Sequence, residues 1–206
     1  EVTFYQNGGA AADLSPAILE RSLFHATNAY AIPHVKAVGV SCRTHLPPNT
    51  AFRGFGGPQA LFVLECAIFK AAEALGVEPR EIQKRNLLQE GDAFPYGAQV
   101  ERCRQRRCWD VAEQKYDLQA RVKEVREYNA GNPWRRKGLA FMPICFGISF
   151  TRTFLNQAGA LVKVYVDGSV GISTYAVEMG QGVTDKIQEV AARIFSIGPE
   201  RIKLEP

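Results

Sequence analysis

Gly54, Gly56 and Gly57 stand within the run Ala51-Phe52-Arg53-Gly54-Phe55-Gly56-Gly57-Pro58-Gln59. Glycine lets a backbone approach a ligand closely, because no Cβ stands in the way. Pro58 and Gln59 then open a long apolar helix, so the loop's N–H groups and the helix dipole converge on one spot suited to an anion. Arg53 adds a cation, and Phe52 and Phe55 add flat apolar rings. Together these suit an anionic cofactor beside a planar substrate. A second loop of the same kind follows at Glu178-Met179-Gly180-Gln181-Gly182, before a helix with Val183, Ile187, Val190, Ala191 and Ile194 on one face. There an amide side chain, Gln181, sits between two glycines at a helix N-terminus. Taken singly, each loop equally suits a structural turn, and Gln181 a helix cap.

The elements that must position these loops are legible as alternations and stripes. Glu1 to Tyr5 alternates like a strand. Ser15-Pro16 caps and starts a helix predicted to reach about Asn28. Val35 to Cys42 alternates again. After the first loop, Leu61, Leu64, Ile68, Ala71 and Leu75 share a stripe while the other faces are also largely apolar, which predicts an interior helix. Pro79 starts a short helix to about Leu88, Gly91 to Val100 is a loop, and one helix is predicted from Asp110 to Tyr128. Leu139 to Phe150 and Gly159 to Val166 read as strands. Asp167-Gly168 turns a hairpin into Val170 to Tyr175, and Arg201 onward reads as a strand just starting. This is a mixed α+β pattern, with helices packed on short mixed sheets.

Composition bounds the function. The chain has 206 residues, 46% hydrophobic and 22% charged, enough for a sizeable core. A net charge of +4 gives little pull on acidic partners. The basic run Arg102 to Arg107 reads as a solvated connection; a nucleic-acid site would want more basic residues and aromatic platforms. Ala60 to Leu75 carries Glu65, Lys70 and Glu73, which argues against a membrane span. Five scattered cysteines suit reduced thiols in a cytoplasmic setting. Cys103 and Cys108 are spaced too far apart for a zinc knuckle, and no second pair follows.

The two loops, with Phe146-Gly147-Ile148-Ser149-Phe150-Thr151 between them, resemble the molybdenum hydroxylases, the family of xanthine dehydrogenase/oxidase and aldehyde oxidase. The flanks Glu20 to His25, Asn86 to Asp92 and Phe154 to Gln157 extend the resemblance over essentially the whole chain. It implies an interior piece of the two-part molybdenum-cofactor region: 1–104 the end of the first half, 105–206 the start of the second. In that family a molybdenum–molybdopterin cofactor hydroxylates an electron-poor carbon with oxygen from water, and electrons leave through iron–sulfur clusters and flavin held elsewhere. The metal takes no direct protein ligand.

The resemblance assigns residues. Phe52, Arg53, Gly54, Phe55 and Gly56 form one cofactor-binding segment, and Gly180, Gln181 and Gly182 another, with Arg53 and Gln181 near the metal. Phe55 and Phe150 wall a slot for a planar heterocycle, and Thr151 lies at its polar edge. Arg21 is assigned the catalytic role of stabilising negative charge that builds on a purine. Helical spacing alone places Arg21 on a solvated face, opposite Leu19, Leu23 and Ala26, and reads Phe55 and Phe150 equally well as core rings. The family's catalytic glutamate lies beyond the segment matching Leu204-Glu205-Pro206, so the chain alone is expected to be inactive. Its implied partners are the remaining domains or subunits of a dimeric parent, with no nucleic acid and no membrane. An aldehyde oxidase-type enzyme, or a non-catalytic anion-binding module, would use the same loops.

Overall fold

A computed structural model describes residues 1–205. They form two compact units, Glu1–Ile148 and the described residues from Ser149 onward.

The first unit opens with β1 (Val2–Gly9), α1 (Ser15–Phe24) and β2 (Ala37–Arg43). β1 and β2 pair in parallel, Val2 opposite Ala37, and α1 crosses between them. A parallel pair needs such a crossover because the second strand must start at the same end as the first. α1 stops at Phe24, short of the predicted end near Asn28. Residues 25–29 continue as turns, with Asn28 at φ 46°.

α2 (Gly57–Leu75) starts at Gly56, φ 99°, and stops at Gly76, φ 66°, two left-handed positions that glycine fills without strain. α3 (Pro79–Arg85) follows. The predicted interior helix is only half interior. Ala60, Leu61, Glu65, Ile68 and Ala72 are buried, whereas Phe62, Val63, Phe69 and Leu75 are exposed. Apolar content all round says that a helix can be covered on every side; which side is covered depends on the partner available.

The helix predicted over 110–128 is two helices, α4 (Gln105–Lys115) and α5 (Leu118–Gly131). Asp117 breaks it: its backbone turns left-handed, φ 43°, and its carboxylate accepts the Ala120 N–H at 3.2 Å as the N-cap of α5. α4 brings Trp109 into a core with Tyr30, Ile68 and Leu87, and the Phe141 ring packs edge-on to the indole at 4.5 Å.

The segment predicted as a strand over 139–150 has no strand partner. Side chains from α1 and its following turn, α3 and α4 take its backbone groups instead, and we call residues 141–147 the strap. Backbone polar groups must be paired by protein or water; here side-chain amides take the bonds that a neighbouring strand would have made.

In the second unit β3 (Ala160–Val164) and β4 (Val170–Thr174) form the predicted hairpin, and α6 (Val183–Phe195) carries the chain to β5 (Ile202–Glu205), parallel to β4. The sheet order is β3-β4-β5. The core is Val170, Ile172, Ala191, Ala192 and Ile202, with Ile187 packed against it. Val190 and Ile194, which share the apolar face of α6, are exposed. Among the described residues no helix is long and apolar enough to cross a membrane.

Candidate cofactor and substrate site

The first glycine loop is built by conformations that other residues resist. Gly54, Phe55 and Gly56 all have positive φ, at 98°, 50° and 99°. Phe55 N–H donates to Phe52 O at 2.8 Å, and Gly57 N–H to Gly54 O at 3.0 Å. The loop lies on α1: Ser22 Oγ donates to Gly56 O at 2.9 Å, and a Cβ at Gly56 would run into Ile18 O. A Cβ at Gly57 would strike the Phe146 ring. These glycines are therefore required by the loop's own packing as well as by any ligand. Phe52 is exposed, Phe55 half-buried.

α1 presents a polar face to the interior. Its buried positions are Ser15, Ile18, Arg21 and Ser22. Arg21, a surface residue by helical pattern, is only 6% exposed. Its Nη1 donates to Gly147 O, and its guanidinium lies 5.4 Å from the centre of the Phe146 ring. A buried cation is costly unless hydrogen-bonded, and burial lowers the guanidinium's pKa from its ordinary value. His25, one turn on, has Nδ1 2.8 Å from Arg21 O and Nε2 3.0 Å from Gly147 N. Burial pushes the imidazole's pKa down, the bond to Arg21 O works against that, and the charge of Arg21 adds to the lowering.

The strap is held by four more side-chain bonds. Asn28 donates to Pro143 O at 2.8 Å and accepts from Cys145 N–H at 3.0 Å. Gln83 donates to Phe141 O at 2.9 Å, and Gln105 to Ile144 O at 3.0 Å. Gln83 also donates to Glu65 Oε2 at 2.7 Å, and the Tyr30 hydroxyl donates to Glu65 Oε1 at 2.6 Å. Tyr30 and Gln83 are each 2% exposed.

The second loop belongs to the second unit. Gly180 and Gly182 have φ 89° and 72°. The Glu178 carboxylate sits in the cup of N–H groups at the start of α6. Oε1 accepts from Gly180 at 2.7 Å and Gly182 at 3.1 Å, and Oε2 accepts from Thr184 at 3.0 Å. These bonds, the one from Thr184 foremost, hold its pKa down to about 2. Gln181 closes the same loop: Oε1 accepts from Met179 N–H at 2.6 Å and Nε2 donates to Val177 O at 2.7 Å. In the same unit Phe150 and Thr151 are half-buried. Asn156 clasps the backbone of Phe150, accepting its N–H at 2.7 Å and donating to its carbonyl at 3.1 Å.

Arg21 and the first loop are thus brought onto one helix within the first unit, while Phe150, Thr151, Gly180, Gln181 and Gly182 are placed in the second. Sequence reasoning missed His25, Asn28 and Glu178. The signals available were modest: a histidine four residues after Arg21, and a carboxylate just ahead of a glycine-rich helix start.

Each loop, within its own unit, carries groups that suit an anionic cofactor. The N–H cup of the second loop is able to hold an anion, since a carboxylate occupies it, and the first loop combines Arg53 with a backbone that excludes Cβ atoms. Comparison with known proteins gives the family: residues 1–87 and 111–206 match the two models described as molybdopterin cofactor-binding domain. The chain belongs to this family of molybdopterin cofactor-binding domains, and the group they hold is molybdenum–molybdopterin. It is 46% identical over 202 residues to xanthine dehydrogenase/oxidase of Gallus gallus, covering 98% of this chain and 15% of that protein. Xanthine dehydrogenase/oxidase of Mus musculus is 44% identical over 99% of this chain and 15% of its own length, and xanthine dehydrogenase 1 of Arabidopsis thaliana 44% over 96% and 14%. The chain thus spans about one-seventh of these relatives. Among solved structures, the aldehyde oxidoreductase from Desulfovibrio gigas superposes with a TM-score of 0.71 at 21% identity, over 98% of this chain and 22% of that one. Quinoline 2-oxidoreductase from Pseudomonas putida 86 gives 0.69 at 20% identity, over 98% and 27%. These two likenesses establish the fold. The boundary between the family models falls between residues 87 and 111, whereas the packing boundary falls at 148, because α4, α5 and the strap pack with the first unit.

Proposed function

We propose that this chain is part of a xanthine dehydrogenase-like molybdenum hydroxylase that oxidises a purine. The cofactor supplies the redox chemistry when bound. The chain's residues cradle it and shape the substrate slot: Phe52, Arg53, Gly54, Phe55 and Gly56 from one loop, Gly180, Gln181 and Gly182 from the other. Phe55 and Phe150 wall the ring, Thr151 meets its polar edge, and Arg21 stabilises the negative charge that grows on it.

The observation that carries the purine reading is Arg21. Its guanidinium is buried on the inner face of α1, over an aromatic ring, where it keeps its charge and offers several donors. Identity of 44–46% with xanthine dehydrogenases supports the same reading. Under it, iron–sulfur clusters, flavin and the glutamate that acts as base belong to other parts of a dimeric, cytoplasmic parent. The two halves 1–104 and 105–206 meet within the chain, which by itself is inactive. An aldehyde oxidase-type enzyme is the rival outcome.

The test is Arg21→Met in the full-length enzyme with matched molybdenum content. A charge-assisted contact that strengthens in the transition state contributes about 3 kcal/mol, or roughly two orders of magnitude in rate. The ratio of kcat/KM for purine to that for a small aldehyde should fall by that factor. Equal losses on both substrates would assign Arg21 to the fold or the cofactor and remove the purine reading.

A further inference from the structure

Arg21 is tied to the strap. Its Nη1 bonds the carbonyl of Gly147, and the N–H of that same glycine is taken by His25. We infer that neutral His25 is the positioning residue that fixes the orientation of the Gly147 residue, and through its carbonyl the guanidinium of Arg21, in the geometry that purine oxidation uses. This inference rests on the purine reading above.

Hydrogen-bond logic defines the state of the imidazole. A backbone N–H can only donate, so Nε2, 3.0 Å from Gly147 N, must be the acceptor. A carbonyl can only accept, so Nδ1, 2.8 Å from Arg21 O, must carry the proton. Only the neutral Nδ1–H tautomer satisfies both partners. The Phe146 ring packs between the two side chains, 5.0 Å from the imidazole and 5.4 Å from the guanidinium carbon. Gly147 leaves the space they occupy: a Cβ there would lie 3.2 Å from Arg21 Nη1 and 3.8 Å from the imidazole. Asn28 anchors the strap upstream at Pro143 and Cys145, so the strap's course does not depend on His25. The end of the strap at Gly147 does.

Protonation reverses the contact. Imidazolium is a donor at both nitrogens, so Nε2–H would face Gly147 N–H, and a second cation would stand beside Arg21. The charged or titratable groups on the elements around His25 are Glu20 and Arg21 on its own helix, Arg53 on the loop that lies against α1, and Cys145 on the strap. Tyr96 and Cys103 interact with Cys145. The bond from Nδ1 to Arg21 O favours the charged form, but burial, the largest influence, and the charge of Arg21 both oppose it. The geometry therefore selects neutral His25, and acid releases the Gly147 carbonyl from Arg21.

The full-length, cofactor-loaded enzyme tests this through the purine-to-aldehyde ratio of kcat/KM, measured from about pH 5 to 8. The purine chosen must not titrate in that range. In the wild type the ratio should fall as pH drops below the ordinary histidine pKa. His25→Gln keeps an acceptor for Gly147 N–H and does not titrate, so its ratio should be flat. His25→Phe keeps the ring against Phe146 but loses the acceptor; its ratio should fall roughly tenfold to a hundredfold at every pH. Crystal structures read the same device without turnover: the Gly147 carbonyl should meet Arg21 in the Gln variant and leave it in the Phe variant. A pH-independent wild-type ratio, or equal pH dependence in His25→Gln, overturns the inference even if His25→Phe does not fold. Selective loss in Arg21→Met together with these negative results would sink the positioning role alone; a non-selective Arg21→Met would sink the purine reading beneath it.

Discussion

Removing one oxygen atom from the core of the first unit measures what the buried polar network contributes. Tyr30→Phe keeps the ring against Ile68, Leu87 and Trp109 and deletes the hydroxyl that donates to Glu65 Oε1 at 2.6 Å. Burial and the neighbouring Glu65 carboxylate both push the phenol's pKa up, so in the wild type the hydroxyl is a donor at every working pH. A net hydrogen bond to a charged group is worth about 1.5–3 kcal/mol, and the variant leaves Oε1 short of a partner in a site closed to water, so the expected loss is about 2 kcal/mol. With a urea slope of about 2 kcal/mol per molar, the midpoint should fall by about 1 M. Trp109 fluorescence is the probe, because the indole is packed in the same cluster and reports this unit. A double-mutant cycle with Glu65→Gln isolates the pair and should show a coupling of at least about 1 kcal/mol. A midpoint within about 0.3 M of the wild type, or additive single losses, would refute the claim that the network holds α2 and the turn before β2 together.

Three further outcomes follow from the loops. Glu178 has its pKa depressed, so its bonds to Gly180, Gly182 and Thr184 stabilise the loop fully above about pH 4.5 and are lost as pH falls towards 2; amide hydrogen exchange at those three positions should follow that course. Gly56→Ala forces a side chain to φ 99° and into Ile18 O, which should cost at least about 1–3 kcal/mol and lower molybdopterin content by metal and pterin analysis. Gln181→Ala removes two bonds that close the second loop, and molybdenum occupancy of the full-length enzyme should drop; full occupancy with unchanged rates would reduce Gln181 to a cap.

Much of the chain was legible from residue order because its signals are local. Glycines flanking Phe55 and Gln181 require left-handed backbone, Pro58 and Pro79 start helices, and Asp167-Gly168 turns a hairpin; each depends on a few neighbouring residues, so position in sequence suffices. The two loops, the segment from Phe146 to Thr151 between them, and their order were enough to find the family. Tertiary structure decided what depends on partners distant in sequence. Arg21 looks solvated by helical spacing, yet α1 buries Ser15, Ile18, Arg21 and Ser22, because the strap 126 residues further on supplies the Gly147 carbonyl. The same strap alternates like a strand, but Asn28, Gln83 and Gln105 reach its backbone and no strand does. α2 is apolar on all sides and covered on one. Glu178, unremarkable in sequence, fills the N–H cup that its neighbours form. Periodicity tells which residues favour burial or pairing; only the folded chain determines which neighbour arrives, since an unpaired buried group costs the same whether a sheet or a side chain relieves it.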